Sequence, residues 1–70
     1  MDETEVNIMR RFGTERFADL LDKFTKEPKA NAFQRGLLWG CALGNWEMLR
    51  AGNLLSAIEL DAMEIRLNSV

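Results

Sequence analysis

Hydrophobic residues recur at helical spacing in the first part of the chain. Four of them stand at i, i+3, i+4 and i+7, the pattern of an amphipathic helix: Phe17, Leu20, Leu21 and Phe24. Pro28 disfavours helical backbone at the residue before it, so this helix is predicted to end near Lys26. Upstream, two arrangements are open. Either a short first helix precedes a second one capped by Thr14, or one kinked helix runs from about Thr4 to Lys26.

A second helical segment spans residues 30 to 51, and its apolar residues are spread almost all round the helix. This pattern predicts burial on most sides. Small residues recur every four positions, at Ala32, Gly36, Gly40 and Gly44. Each glycine costs about 1 kcal/mol in a helix interior, so the row indicates that another helix approaches closely. We favour a crossing within the chain, because small close-packed domains need such crossings.

The third helix has the clearest boundary signals. Gly52 is suited to the left-handed backbone that ends many helices. Ser56 and Glu59 have the spacing of a capping box, and two leucines are placed to form a hydrophobic staple around it: Leu55 and Leu60. The pattern predicts a final helix from Ala57 to about Leu67.

The elements together predict an all-α fold, a small bundle of three to four helices with a C-terminal helical hairpin. Residues 1–70 form a single helical domain in this interpretation. A core of this size leaves a net stability of only about 3–5 kcal/mol. Since 47% of the residues are hydrophobic, the composition is not that of a disordered chain. Self-association is the natural additional support.

Composition argues against most chemistry. The chain has no histidine and one cysteine, Cys41, which leaves no disulfide and no zinc-type ligand set. We predict no metal, no cofactor and no enzymatic activity, and we expect Cys41 to be a buried, inert core residue. The lone cysteine and the acidic N-terminus favour a cytoplasmic location. The most apolar stretch, residues 36 to 43, is too short to cross a membrane.

The charge distribution makes nucleic acid an unlikely partner. The net charge is −2, and no basic patch stands out. The alternative function, a small helix-turn-helix DNA-binding regulator, would have to read bases with the final helix. That helix offers mostly acidic side chains, whereas base edges are normally read by Arg, Lys, Asn or Gln. Its charged residues are Glu59, Asp61, Glu64 and Arg66.

One stripe of the second helix combines tryptophan and arginine, the residues most enriched at binding hot spots. It consists of Arg35, Trp39, Leu43, Trp46 and Arg50. We predict that this stripe binds a partner protein and that Arg50 stacks over the Trp46 ring. The alternative is that both tryptophans belong to the core.

The final helix has two apolar faces separated by polar residues. Leu60, Met63 and Leu67 share one face. The opposite face comprises Ile58, Ala62 and Ile65. A chain this short can hardly cover both, so we predict a homodimer that self-associates through the second face. The reverse assignment, with Leu60 outward, stays open.

Two segments, Phe33 to Gly40 and Ala51 to Met63, together resemble the layout of small accessory proteins encoded by bacteriophages and other mobile elements. In that layout a helix, a glycine loop and a capped helix follow one another. The resemblance covers roughly the second half of the chain. It implies a stand-alone protein that binds a host protein and modulates it, by occluding one of its surfaces.

Overall fold

The computed structural model describes residues 3–70, and within this range all regular structure is helical. Helix α1 spans Glu3–Lys26, α2 spans Ala32–Ala51 and α3 spans Ala57–Ser69. The predicted all-α class is therefore confirmed, with three helices in the described part of the chain.

Helix α1 is one continuous element of 24 residues. Thr14 does not cap a second helix, because its Oγ1 hydroxyl donates to the carbonyls of Arg10 and Arg11, each at 3.0 Å. The prediction of a helix end near Lys26 is confirmed. Pro28 follows two residues later, where it cannot interrupt the helix.

Helix α2 approaches the backbone of α1 closely at Gly13. A Cβ added to this glycine would lie 2.6 Å from Leu49 Cδ2. Beside it, the buried Asn45 donates a hydrogen bond from its side-chain amide to the Gly13 carbonyl oxygen. A glycine therefore does permit a tight helix crossing in this protein, but it belongs to α1.

The prediction that the glycines of α2 form a crossing within the chain is wrong. Gly36, Gly40 and Gly44 are all exposed, and a Cβ at any of them would have no heavy atom within 4 Å. Larger side chains, among them Leu49 and Trp46, fill the sides of α2 that face its neighbours. The glycine row points away from both neighbouring helices, α1 and α3.

The turn between α2 and α3 differs by one residue from the prediction. Gly52 has φ −83°, and Asn53 has the left-handed φ of 53°. Asparagine tolerates this backbone better than most residues. The amide of Leu54 then donates to the Leu49 carbonyl at 3.1 Å, so the helix end is still closed by the chain.

The capping box at the start of α3 is confirmed. The Ser56 hydroxyl accepts from the Glu59 amide at 3.2 Å, and the Glu59 carboxylate accepts from the Ser56 amide at 3.5 Å. Leu55 is buried before the cap, and Leu60 packs against the core after it. The helix continues to Ser69, two residues beyond the prediction.

A single hydrophobic core joins the three helices. It contains Phe17, Leu20, Leu21, Ala42, Trp46, Leu49, Leu54, Leu55, Met63 and Leu67. Met63 and Leu67 are buried and Leu60 is half-buried, so this face of α3 is the inward one. The other apolar face of α3 is turned outward.

Candidate binding surfaces

The two tryptophans of α2 attach α3 to the rest of the chain. Trp46 is only 8% exposed, and its Nε1 donates to the Leu60 carbonyl at 2.9 Å. Trp39 is half-buried, and its Nε1 donates to the Leu67 carbonyl at 3.0 Å. Trp39, the earlier of the two in α2, bonds to the later residue of α3, Leu67, whereas Trp46 bonds to the earlier one, Leu60. Both indoles are thus used within the chain.

The remaining members of the tryptophan–arginine stripe also have partners inside the chain. Arg35 donates from Nη1 to the Phe24 and Glu27 carbonyls, and its guanidinium lies 4.2 Å from the Phe24 ring centroid. Arg50 lies over the Trp46 ring at 4.9 Å, as predicted. Leu43 is half-buried, and of the five residues Arg50 alone is exposed. Partner binding by this stripe stays a prediction.

The outer face of α3, formed by Ile58, Ala62 and Ile65, is open to solvent. Ile58 is 82% exposed and Ile65 66% exposed, and Ala62 is exposed between them. Asp61 and Glu64 are exposed along one edge. The structure thus places these residues together on a free surface, and which molecule covers them stays a prediction.

A second open surface lies on α2, and the sequence analysis missed it. Phe33 is 80% exposed, Leu37 48% and Met48 54%. Cys41 is exposed between them, so the expectation of a buried core thiol is wrong. We call this surface the outer face of α2; its members are Phe33, Gly36, Leu37, Gly40, Cys41, Gly44 and Met48. The glycine spacing was the signal that could have revealed it.

A smaller apolar patch lies on the N-terminal half of α1. Ile8 is 63% exposed, Phe12 62% and Met9 44%. The sequence analysis predicted helical turns here without assigning them a binding role. Since Ile8 and Phe12 are one turn apart, they form a continuous patch on the side of α1 away from the core.

The ion pairs are on the exposed side of α1. The pairs Asp19–Lys23 and Asp22–Lys26 join residues one helical turn apart, at 3.0 and 2.9 Å. The hydrogen bond that Lys26 donates to the Asp22 carboxylate, and then the negative charge of that carboxylate, raise the pKa of Lys26 above its ordinary value. Such solvent-exposed pairs contribute little to stability, and their role is to keep this side of α1 in water.

Within residues 3–70 the structure has no cluster of three or more potential metal ligands, and no pocket was found there. None of the three described helices combines the length and the apolar character that a membrane span requires.

Comparison with known proteins identifies no relative. No protein-family model, curated protein or solved structure matches the chain.

Proposed function

We propose that this chain is a non-enzymatic protein-binding module, a small modulator of the kind that bacteriophages and mobile elements encode. The observation that carries the proposal is the outer face of α3. There, Ile58 and Ile65 are mostly exposed on a helix whose opposite side is already packed. Removing such apolar surface from water yields about 25 cal/mol per Å². This gain favours association with another protein surface.

The geometry suits a helix laid into a groove. Ile58, Ala62 and Ile65 stand at i, i+4 and i+7, which is the spacing of anchors in helix-in-groove recognition. We interpret α2 and α3 as a C-terminal helical hairpin that presents this face. Asp61 is exposed at one edge of the face and Arg66 at the other, so the matching partner has an apolar groove with a basic side chain on one rim and an acidic side chain on the other. Filling such a groove would occlude it in a host protein, in the cytoplasm by our expectation.

The charges on α3 favour this function over DNA binding. Glu59, Asp61 and Glu64 are exposed, and Arg66 is the only basic residue of this helix. A DNA phosphate backbone would be repelled by that surface. A gel shift with duplex DNA, titrated with salt, distinguishes the two functions. An affinity that falls steeply as salt rises would support the helix-turn-helix alternative.

The test of the proposal uses Ile65→Asp with Asn7→Asp as its matched control. Both variants add one negative charge at an exposed position, on α3 and α1 respectively. Immobilised parent protein and each variant are incubated with host lysate, and bound proteins are quantified by mass spectrometry. We expect a host protein that the parent and Asn7→Asp retain and that Ile65→Asp loses. Circular dichroism should show the same helix content for all three chains. Equal retention by Ile65→Asp would contradict the assignment of this face.

A further inference from the structure

Helix α3 occupies a groove that the other two helices form. Its inward row, Leu60, Met63 and Leu67, packs into the core, and the helix lies along α2. Beside this row, the Arg66 guanidinium lies 5.9 Å from the centroid of the Phe17 ring of α1. The groove therefore receives three apolar side chains at i, i+3 and i+7 and a cation at i+6.

The indole hydrogen bonds in this groove are directed at backbone. Trp39 and Trp46 are seven residues apart in α2, and their acceptors, the carbonyls of Leu67 and Leu60, are seven residues apart in α3. Two antiparallel helices keep both pairs in register over about 10.5 Å at 1.5 Å per residue. Any helix offers carbonyls at this spacing, each with two lone pairs. The indoles thus recognise an antiparallel helix without reading its side chains.

The turn before α3 is fixed by contacts with α1 and α2. Arg10 of α1 donates from Nε to the Leu54 carbonyl at 2.7 Å, and the Leu54 amide donates to the Leu49 carbonyl of α2 at 3.1 Å. The capping box of Ser56 and Glu59 follows this fixed point. The chain can therefore pivot near Ser56, with the turn left in place and the cap carried along with α3.

We propose that this groove is a binding site for a helix of another protein, and that α3 is the chain's own competitor for it. The partner helix has the chemistry of the inward row: large apolar side chains at i, i+3 and i+7, a basic side chain at i+6, and a direction antiparallel to α2. Its binding releases α3 by a pivot near Ser56. This inference goes beyond the proposed function, which concerns the opposite face of α3.

Tethering makes α3 the usual occupant of the groove. A segment joined by a short flexible linker acts at an effective concentration in the millimolar range, so a free helix with the same row competes weakly. A change that weakens the docking of α3 strengthens the binding of a free helix by the same factor, because the groove is then open in a larger fraction of molecules. The affinity for a free helix thus measures how firmly α3 is docked.

The test uses a fluorescently labelled peptide of residues 56–70, which contains the capping box and the inward row. Its anisotropy is titrated with the parent chain, with Ser56→Ala and with Leu67→Ala. Both substitutions weaken α3 of the chain and leave the α1 and α2 sides of the groove unchanged. We expect Ser56→Ala to bind the peptide about 5-fold more tightly than the parent. Leu67→Ala should bind it about 30-fold more tightly or better.

Two variant peptides locate the contact. Leu67→Asp places a negative charge on the inward row, and Ile65→Asp places the same charge on the outer face of α3. We expect the Ile65→Asp peptide to bind as the unmodified peptide does and the Leu67→Asp peptide to lose binding. The reverse order would place the contact on the outer face and overturn the proposal.

Circular dichroism establishes that each chain is folded. If Leu67→Ala is unfolded, Ser56→Ala decides the comparison, because position 56 is exposed. Peptide affinity that rises from the parent to Ser56→Ala supports the proposal. Equal affinities in these two chains overturn it, as does an absence of peptide binding up to millimolar concentration. Capture of a host protein, which depends on Ile65 and the outer face of α3, tests the proposed function separately.

Hydrogen exchange provides an independent measurement of the release of α3. With an isotope-labelled Ser56→Ala chain and an unlabelled peptide, NMR follows the amides of the chain alone. When the peptide occupies the groove, the amides of chain residues 57–69 should exchange faster than in the chain without peptide. Unchanged exchange in a chain saturated with peptide would show that the peptide binds elsewhere, and the proposal would be wrong.

Discussion

Leu49 of α2 packs directly on the backbone of Gly13 in α1. A Cβ at Gly13 would lie 2.6 Å from Leu49 Cδ2 and 3.1 Å from its Cγ, and Leu49 is fully buried. By contrast, the glycine row of α2 lies in open space. The same substitution should therefore change stability in opposite directions on the two helices.

The first prediction compares Gly13→Ala with Gly40→Ala. Overpacking at Gly13 costs about 1–3 kcal/mol, more than the gain of about 0.5–1 kcal/mol from alanine's better helix propensity, so Gly13→Ala should lower the free energy of unfolding. Gly40→Ala keeps that gain, about 0.5–1 kcal/mol. Urea denaturation at low protein concentration measures both free energies of unfolding. Equal and favourable changes would show that Gly13 is not a close contact.

The second prediction concerns Trp46, which is 8% exposed. Trp46→Ala should lower the free energy of unfolding by about 3–5 kcal/mol, which is most of the stability of so small a chain. Trp46→Phe retains an aromatic ring and should cost less than Trp46→Ala; the lost hydrogen bond to the Leu60 carbonyl accounts for about 0.5–1.5 kcal/mol of its cost. Met48→Ala, on the open side of α2, is the control and should change little. A Trp46→Ala variant with undiminished stability would show that Trp46 is not a core residue and that the tryptophan–arginine stripe is a surface.

The third prediction concerns the α2–α3 turn. Asn53 has φ 53°, and a left-handed residue with a Cβ costs roughly 1–2 kcal/mol. Asn53→Ala should therefore lose about 1 kcal/mol, because alanine tolerates left-handed backbone less well than asparagine, while Asn53→Gly should not. Gly52→Ala should be nearly neutral, because its Cβ would make only ordinary contacts at 3.4 Å. Thermal denaturation ranks the stabilities of the three variants. A large loss of stability in Gly52→Ala would contradict the observed turn.

The fourth prediction concerns the cap of α3. Ser56→Ala removes the acceptor of the Glu59 amide and should cost about 1 kcal/mol. Ser69→Ala is the control, since its hydroxyl donates to the Ile65 carbonyl at the C-terminal end of the same helix, away from the cap. Chemical denaturation that finds equal stability for parent and Ser56→Ala would mean that the cap does not hold α3.

Local signals were the ones that could be predicted from the sequence. Pro28 marks the end of α1 and Ser56 marks the start of α3, because each acts on backbone within one turn. Periodicity also separates the apolar residues of α3 into two narrow rows with charges between them, although it does not say which row faces inward. These features need no knowledge of distant contacts.

The sides of α2 could not be predicted in the same way. Periodicity gives the angle between two residues of a helix, but it does not say which angle faces the neighbouring helices. On α2 nearly every side is apolar, so Trp46 and Gly40 were equally plausible core positions. The choice depends on volume: the large indole fills the space between helices, and the glycines are left outside with Cys41.

The two indole hydrogen bonds from α2 to α3 give the protein an intrinsic fluorescent probe of its own unfolding. The chain contains two tryptophans, both in α2. Each donates its Nε1 proton to a backbone carbonyl of α3. Ultraviolet fluorescence is thus an optical probe of one boundary, the docking of α3 on α2, while far-ultraviolet circular dichroism averages over every helix. A red shift in emission at lower denaturant than the loss of ellipticity would mark release of α3 before the pair α1 and α2 melts.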